Sequence, residues 1–387
     1  MNRLLYLFAL VNLVIGTGAF VVAGILGPIA SGLQASVSAA GQTMTVYALS
    51  TALLVPIALV LTGRLRRKLA MQIALAVFTF GNLVCALATS LPVLLLGRVL
   101  MGIGAMFTPL AAGLAVSMVE PAKRGKALAL VFLGVSLAYV VGLPLGAWLG
   151  FKYDWHVPIM VIAAASLLAL IAVTVLVPGD MQGPGANFDG LGVLVKVPEV
   201  RWTLLFTLLY FTAIFCVFSY IGPVQQALNP MTTEQLSLTL AMFGLSGVAG
   251  TLVGGWANDR FGSLPTVRIQ ITLLMCMMLV LPFTRGNYAL TVLAFVLWGT
   301  AGFGMMAPQQ SRLAVVSPEN APLLLSLNTS MLYLGTALGA ALGGVFVGAV
   351  PGEGYITFDR LSWVGLPFAV AAGLTLFMAK PGGRRNA

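Results

Sequence analysis

Long apolar stretches recur along almost the whole chain, and they limit what it can fold into. Twelve stretches occur, at residues 4–29, 41–62, 69–89, 92–118, 127–150, 157–177, 202–223, 236–257, 267–284, 288–308, 324–348 and 362–379. Each has about the length that a helix needs to cross the hydrocarbon core of a bilayer. Only 8% of the residues are charged, against about 25% in soluble domains. The sequence therefore predicts an all-α membrane protein with twelve transmembrane helices, which we call spans 1 to 12.

Twelve transmembrane helices account for the apolar stretches better than three alternatives do. These are a β-barrel, a cleaved signal peptide at the first stretch, and a channel. A transmembrane β-barrel would show alternating segments of about ten residues. The first stretch is too long for a signal peptide, and no Ala-x-Ala site follows it, so we expect it to persist as span 1. A channel would favour a filter or a re-entrant segment over twelve near-uniform spans.

Lysine and arginine lie mostly on one side of this arrangement. Of the 20 basic residues, 16 fall on the side that holds both termini, 3 fall on the other side, and Arg98 lies within span 4. Because basic residues are enriched in cytoplasmic loops, both termini are predicted to be cytoplasmic. The net charge of +10 is spread over separate short loops, which argues against binding to nucleic acid.

A stretch rich in glycine and proline, residues 178–201, divides the spans six and six. It predicts a cytoplasmic linker between an N-terminal half, residues 1–177, and a C-terminal half, residues 202–387. The halves echo each other: Gly102, Gly104 and Pro109 of span 4 recur as Gly302, Gly304 and Pro308 of span 10. Such internal repeats are typical of secondary transporters that bind substrate between the repeats.

Three motifs resemble those of a known transporter family. GRVLMGIGA lies in span 4, GVSLAYVVGLPLGAWLG lies in span 5, and GGWANDRFG forms the predicted loop after span 8. In this order they resemble the major facilitator superfamily, and within it drug/proton antiporters such as bacterial sugar-efflux and chloramphenicol-efflux proteins. The residues that carry these motifs and the matching first-half loop are Gly63, Gly142, Pro144, Gly146, Gly255, Asp259, Arg260 and Gly262.

The resemblance implies a monomeric secondary active transporter of the bacterial inner membrane with two pseudo-symmetric six-helix halves. It would export a small organic molecule, similar to a sugar, drug or nucleoside, by alternating access and in exchange for protons. A proton-independent facilitator of a small neutral or anionic solute is the alternative. The partners are then the substrate, protons and the lipid bilayer, with no cofactor and no metal. An enzyme would need clustered His, Asp, Glu or Cys at membrane depth, which the spans do not supply.

The chain departs from the related efflux proteins in two places. The first-half loop, GRLRRK, keeps the glycine and the basic run but lacks an aspartate. Span 1 has Ala19 where the related proteins often carry a glutamate, in the stretch from Gly16 to Phe20. In those proteins a glutamate there is the usual proton site. With Ala19 in its place, proton binding would need another residue, or transport would not be coupled to protons.

Arg98 is the one charged residue deep within a predicted span. An arginine at the bilayer centre costs about 2.5–3.5 kcal/mol even on the most lenient scale, so such a position is rarely incidental. Its side chain either reaches the headgroups from near the end of the helix or faces the interior of the half. The interior position, with hydrogen bonds to helix carbonyls and polar neighbours, is the one that we predict.

All ten acidic residues fall in loops or at span ends. A proton-driven transporter normally needs a carboxylate or histidine whose proton affinity changes between states. The candidates for coupling are Asp154, His156, Glu234 and Asp259. The alternative for His156 is a polar anchor at the membrane surface, and for Asp259 a latch that pairs with an arginine or with helix amides at the cytoplasmic face.

Polar and aromatic residues near the middle of the spans are the candidate substrate surface, although each is individually more typical of packing. Together with Arg98 they are Asn12, Thr17, Phe20, Tyr47, Tyr139, Tyr210, Phe215, Tyr220, Trp298, Asn328 and Tyr333. This lining is aromatic, lightly polar and free of acids. It therefore favours a neutral or anionic organic substrate over a multivalent cation.

Overall fold

The computed structural model describes residues 3–120, 123–179, 181, 196–316, 321–348 and 355–378. Regular structure within these residues is helical throughout. Twelve segments among them are long and apolar enough to cross a membrane: Arg3–Gly24, Val37–Leu61, Arg67–Ala86, Leu91–Ser117, Arg124–Lys152, His156–Leu176, Pro198–Phe218, Thr233–Phe261, Ser263–Thr284, Tyr288–Val316, Leu323–Val347 and Phe358–Met378. The predicted fold class is confirmed, with one helical segment for each predicted span.

Spans 1, 4, 7 and 10 are interrupted or bent, at corresponding places in the two halves. The pairs of helices are Arg3–Gly24 with Leu26–Gly32, Leu91–Gly104 with Phe107–Ser117, Pro198–Phe218 with Ile221–Leu228, and Tyr288–Gly304 with Met306–Val316. In spans 4 and 10 the interruption follows Gly104 and Gly304, and Pro109 and Pro308 lie in the first turn of the next helix. A proline there is tolerated because the first amides of a helix have no intrahelical acceptor. The repeated sequence thus marks a repeated bend.

Span 5 contains a wide helical turn at its antiporter-like motif. The helix Arg124–Leu137 continues through a π-helical turn, Ala138–Gly142, into the helix Leu143–Lys152. Pro144 is the second residue after this turn, and it has no amide hydrogen to donate to the carbonyl four residues before it. The wide turn lies where that bond is missing, and the helix continues through it.

The glycines of span 5 face span 1 at very short range. A Cβ atom on Gly134 would overlap the carbonyl oxygen of Ala9, and one on Gly142 would overlap the side chain of Thr17. Gly146 would meet Val21 in the same way. Small residues at this spacing allow two helices to pack backbone to backbone. All three of these glycines belong to the span 5 motif, so that motif has a direct packing role.

Span 11 meets span 7 in the corresponding manner. A Cβ atom on Gly335, Gly339 or Gly343 would overlap a backbone carbonyl oxygen of span 7. The two halves therefore repeat the close approach between their first and fifth helices as well as the bends.

The chain divides into two compact units. Unit 1 comprises Met1–Ala186, Ile221–Pro223 and Met231–Gly244, and unit 2 comprises the remaining residues. Most of the predicted linker, 178–201, lies outside the described residues. At its start the carbonyl of Met181 accepts a hydrogen bond from the amide of Arg67 at 3.1 Å. The exact division of the chain into 1–177, 178–201 and 202–387 stays a prediction.

The motif after span 8 differs from the loop that its sequence predicts. The helix of span 8 continues to Phe261, so Asp259 and Arg260 are helical. The chain turns at Gly262, whose φ of 86° lies in the left-handed region that glycine tolerates best. The final glycine of the motif is thus the turn residue, and the charged pair before it extends the helix.

Candidate substrate-binding and coupling residues

Arg98 lies inside unit 1, as predicted, with 1% of its surface exposed. Its Nη1 donates to the carbonyl oxygen of Gly18 at 2.7 Å, and its Nη2 donates to that of Ala19 at 2.8 Å. Nε donates to the carbonyl oxygen of Thr43 at 3.2 Å. Each carbonyl has two lone pairs, so it can accept a second hydrogen bond while it remains part of its helix. Arg98 therefore joins span 4 to spans 1 and 2 and does not reach for the headgroups.

The rest of the surroundings of Arg98 are apolar or weakly polar. The guanidinium carbon lies 4.5 Å from the centre of the Tyr47 ring, a cation–π distance. The sulfur atoms of Met44 and Met101 lie 3.7 and 3.8 Å from Nη2 and Nη1. Within the described part of the chain no carboxylate forms an ion pair with Arg98. The positive charge is held by backbone dipoles and one aromatic ring.

Ala19, where the sequence resemblance implies a glutamate, is part of this arrangement. It is 3% exposed, and its carbonyl is one of the acceptors of Arg98. Here the backbone of span 1, and not a side-chain acid, receives the guanidinium.

A small cavity adjoins Arg98 within unit 1. Its volume is about 10 Å³, close to the space that one water molecule needs. Asn82 lines it, and the Oδ1 atom of this buried amide has no hydrogen-bond partner, while Nδ2 donates to the carbonyl oxygen of Phe78 at 2.8 Å. The cavity is far too small for a sugar or a drug, so it is not the substrate site.

The predicted substrate residues of the N-terminal half are engaged within it. Tyr47 lies beside Arg98, and the hydroxyl of Thr17 donates to the carbonyl oxygen of Leu13 at 2.8 Å. The others form two groups. Asn12 is fully buried, donates to the carbonyl oxygen of Val131 at 3.1 Å, and accepts from the hydroxyl of Thr108 at 2.6 Å. Its polar atoms are thus used in joining spans 1, 4 and 5. Phe20 and Tyr139 form the second group, with stacked rings 4.6 Å apart.

The predicted substrate residues of the C-terminal half are also largely engaged inside it. The hydroxyl of Tyr210 donates to the carbonyl oxygen of Ala301 at 2.9 Å, and that of Tyr220 to Ala340 at 3.0 Å. Phe215 and Trp298 are 4% and 3% exposed. Tyr333 is half-buried. Most of these side chains hold spans together in this structure.

A buried polar network in unit 2 was not predicted from the sequence. The side-chain amide of Gln309 donates to the carbonyl oxygen of Thr203 at 2.7 Å and to the hydroxyl of Thr207 at 2.9 Å. Thr207 in turn donates to Oδ1 of Asn328 at 2.6 Å, and Arg312 donates to Oε1 of Gln309 at 3.0 Å. The network joins spans 7, 10 and 11.

The sequence echo contained a signal for this network. Thr108 precedes Pro109 after the bend of span 4, and Gln309 follows Pro308 after the bend of span 10. Each of these two side chains bonds to the first helix of its own half, at Asn12 or Thr207. Polar residues beside both prolines predict polar contacts at the bends.

The coupling candidates lie apart from Arg98. Asp154 and His156 are in contact with each other just before and at the start of span 6. The amide of His156, which donates to the carboxylate at 2.8 Å, is the main cause that holds the pKa of Asp154 below its usual value. Glu234 is exposed in the first turn of span 8.

Asp259 does not form the predicted ion pair within the described residues. Its carboxylate accepts one long bond, 3.4 Å, from the side-chain amide of Asn258. Asp259 and Arg260 are both exposed, and successive residues of a helix do not face each other. The guanidinium of Arg260 lies 5.9 Å from the centre of the Phe261 ring. The role of Asp259 as a latch at the cytoplasmic face stays a prediction.

The described acids all lie at helix ends or between helices. They are Glu120, Asp154, Glu199, Glu234, Asp259 and Asp359. Asp180, Asp189, Glu319 and Glu353 lie outside the described residues. The groups of three or more metal-binding side chains that a metal site would need do not occur in the described part of the chain.

Twelve spans, bends repeated between the halves and interior polar contacts together define a multi-pass membrane transporter. Residues 8–340 match the Major Facilitator Superfamily, and the chain belongs to that family. YdhP, an inner membrane transport protein of Escherichia coli, is 32% identical over 377 residues, which cover 96% of this chain and 94% of that protein. YbcL, an MFS-type transporter of Bacillus subtilis, is 28% identical over 97% of this chain and 96% of its own length. Members of the family are transporters and not enzymes.

Solved structures show the same fold. A bacterial homologue of the human lysosomal transporter Spinster, in an inward-facing and occupied conformation, aligns with a TM-score of 0.79 and 18% identity over 97% of this chain and 96% of that chain. A D-xylose–proton symporter aligns with a TM-score of 0.79 and 16% identity over 99% of this chain and 98% of its own. At these identities the likeness concerns the fold alone.

Proposed function

We propose that this transporter is a secondary active exporter of a small neutral or anionic organic molecule. It works by alternating access and exchanges its substrate for protons. The observation that carries the substrate class is Arg98, a buried positive charge that no carboxylate neutralises within the described residues.

Electrostatics support this substrate class. An uncompensated charge in a medium of low dielectric acts over a longer distance than it would in water. The buried acid among the described residues, Asp359 of unit 2, is already paired with Arg285, so it is not free to offset the charge of a cationic solute. The stacked pair of Phe20 and Tyr139 adds aromatic rings to the interior of unit 1, and both are buried in this structure, at 9% and 8% exposure. An aromatic interior of this kind is typical of sites for small organic molecules.

The direction of transport rests on the span 5 motif. Its glycines pack against span 1, and its π-helical turn precedes Pro144. This is the segment that resembles the antiporter motif of efflux proteins, and it supports export. A proton-independent facilitator is the second candidate, since Ala19 replaces the acid that relatives often use.

The substrate class is tested with purified protein in liposomes and a panel of labelled solutes. The panel holds neutral sugars, nucleosides, chloramphenicol-like drugs, organic anions and lipophilic organic cations. We expect facilitated flux of at least one neutral or anionic compound and none of the cations above the rate of protein-free vesicles. Saturable transport of the cations alone would contradict the proposal.

A further inference from the structure

The single histidine of the chain lies between two oxygen acceptors in unit 1. Its Nδ1 atom is in contact with Oδ1 of Asp154, and its Nε2 atom lies 3.2 Å from the carbonyl oxygen of Ala88. Ala88 belongs to the turn between spans 3 and 4, whereas Asp154 belongs to the turn between spans 5 and 6. The imidazole ring therefore bridges two turns on the same side of the unit.

The two acceptors determine how many protons the group holds. A neutral imidazole has one N–H donor and one acceptor nitrogen, whereas an imidazolium has two donors. The carbonyl of Ala88 has no hydrogen to give, so its contact needs a proton on Nε2. A neutral ring can donate to one of the two oxygen acceptors. A ring that donates to both carries a proton on each nitrogen and a positive charge.

Asp154 itself stays ionised under ordinary conditions. The backbone amide of His156 donates to its carboxylate, and this bond is the main cause that lowers the pKa of Asp154. A proton that the pair binds is therefore carried by the imidazole ring. A cation at the start of a helix is unfavourable by itself, and the adjacent carboxylate offsets that effect.

Few other charges act on this ring. Lys152, at the end of span 5, places its ammonium group 4.3 Å from the centre of the Trp148 ring and 5.6 Å from that of Tyr153. Glu234, in the same unit, lies close enough to attract Lys152. The turn 87–90 and the segment 26–36 contain no charged residue. Asp154 is the carboxylate that faces His156.

Trp155 links the pair to a third part of the unit. Its ring lies over the imidazole, with centroids 3.6 Å apart, and it is 2% exposed. The indole also packs against Gly32, where a Cβ atom would overlap Nε1. Trp155 therefore connects the imidazole ring of His156 to Gly32, at the end of the helix Leu26–Gly32.

We infer that Asp154 and His156 form a proton-binding site. In its protonated form the imidazolium donates a hydrogen bond to the turn between spans 3 and 4. The charge distribution of the loops predicts that this end of the unit faces the outside. The side chain of His156 is 32% exposed and that of Asp154 is 54% exposed, so the medium on that side supplies the proton. Loss of the proton removes one of the two hydrogen bonds and frees a turn.

In transport, proton binding by this pair stabilises the conformation in which His156 bonds to the carbonyl oxygen of Ala88. Conformations that lack this hydrogen bond are not stabilised. This role in transport rests on the proposed proton-coupled export. Proton binding by Asp154 and His156 does not rest on it, since it is inferred from the contacts of the pair. Proton binding and its role in transport are therefore tested separately.

Fluorescence of Trp155 measures proton binding directly, because an imidazolium in contact with an indole quenches its emission. Purified full-length protein is titrated from about pH 8 to about pH 5, the range in which histidine ordinarily changes its charge. We expect a reversible fall in emission that is absent in Trp155→Phe and in His156→Gln. In Asp154→Asn the step should move to lower pH, because the imidazolium loses its carboxylate partner.

Glu120→Gln is the matched control, since it removes an exposed carboxylate from a surface pair with Lys123 and should leave the step unchanged. A flat titration of the wild type, or a step that persists in Trp155→Phe and His156→Gln, overturns the inference. If His156→Gln does not fold, Trp155→Phe and Asp154→Asn decide the question.

A second measurement separates this site from the proposed function. Initial rates of transport are recorded at several pH values on the outer side, for the wild type and for Asp154→Asn. We expect the outer-pH dependence of the rate to follow the fluorescence step in both proteins. A step without any dependence of transport on pH would leave the proton site in place and remove proton coupling. Proton-driven transport without a fluorescence step would support proton coupling and rule out a proton site at Asp154 and His156.

Discussion

Arg98 shows how a chain can keep a permanent charge inside a membrane protein without an acid. Three backbone carbonyls and one aromatic ring surround it. Backbone groups do not titrate, so the charge has no partner that a proton could remove. Arg98 therefore acts in this structure as a fixed connector of spans 1, 2 and 4 rather than as a switch.

Arg98→Lys tests this role. An ammonium keeps the charge but lacks the planar fork that reaches Gly18 and Ala19 together. Losing one hydrogen bond to a charged group costs about 1.5–3 kcal/mol, and every 1.4 kcal/mol is about tenfold in an equilibrium. We expect at least a roughly tenfold lower initial rate of transport in proteoliposomes at equal protein content.

Arg98→Ala should be more severe, because it leaves three carbonyls without the guanidinium and creates a cavity. Expression and monodispersity are measured alongside, so that loss of folding is distinguished from loss of transport. Wild-type rates in well-folded Arg98→Lys and Arg98→Ala would show that the three-span connection is not needed for function.

At the level of the helices, the sequence predicted the number and place of the spans well. Hydrophobicity alone locates them, because a bilayer requires long apolar helices whatever their partners are. It also predicted the burial of Arg98, since the alternative costs several kcal/mol in hydrocarbon. Within the described residues, each predicted span corresponds to one helical segment.

Partners between distant helices could not be predicted in the same way. That Asn12 would bond to Thr108, or Thr207 to Asn328, depends on the rotation of each helix about its axis. Spans that are apolar on all sides carry little signal for that rotation. The sequence assigned Asn12 and Asn328 to a substrate surface, which stays a prediction, and in this structure their side chains join helices.

Gly134→Ala tests the contact between spans 1 and 5. The new methyl group would overlap the carbonyl oxygen of Ala9, and a backbone atom moves only with its helix. Overpacking costs about 1–3 kcal/mol, so we expect a lower melting temperature in detergent. Gly113→Ala is the matched control, because a Cβ atom there meets open space. An unchanged or higher melting temperature for Gly134→Ala would mean that the two helices separate easily.

Thr207→Val tests the polar network of unit 2 without changing the volume of the side chain much. The substitution removes the donor to Asn328 and the acceptor of one Gln309 bond. An unsatisfied buried group costs about 1–3 kcal/mol, and we expect a lower melting temperature. Thr329→Val, at an exposed site on the same helix as Asn328, should change it little. Equal melting temperatures in both variants would show that the network contributes nothing to stability.

For the whole molecule, the central question is where a coupled proton would bind. Every described acid lies at a helix end or between helices. Deep burial is the usual way to raise the proton affinity of a carboxylate toward neutral pH. Among these acids Asp359 is the buried one, with 6% of its surface exposed, and it is already paired with Arg285 at 3.3 Å. The coupling site that we propose is therefore Asp154 with His156, which is open to the medium and has a defined geometry.

Whether transport is coupled to protons is tested by measuring whether the substrate accumulates against its own concentration gradient. Proteoliposomes that transport a panel compound are given a pH difference across the membrane, and the internal and external concentrations are followed. We expect uphill transport that ends when a protonophore collapses the gradient, and that is weakened in Asp154→Asn and His156→Gln. Liposomes with Glu120→Gln should behave as the wild type. If the compound only equilibrates, at a rate that ignores the gradient, the protein is a facilitator. Ala19, in place of the glutamate that the sequence resemblance implies, would then fit a transporter without proton coupling.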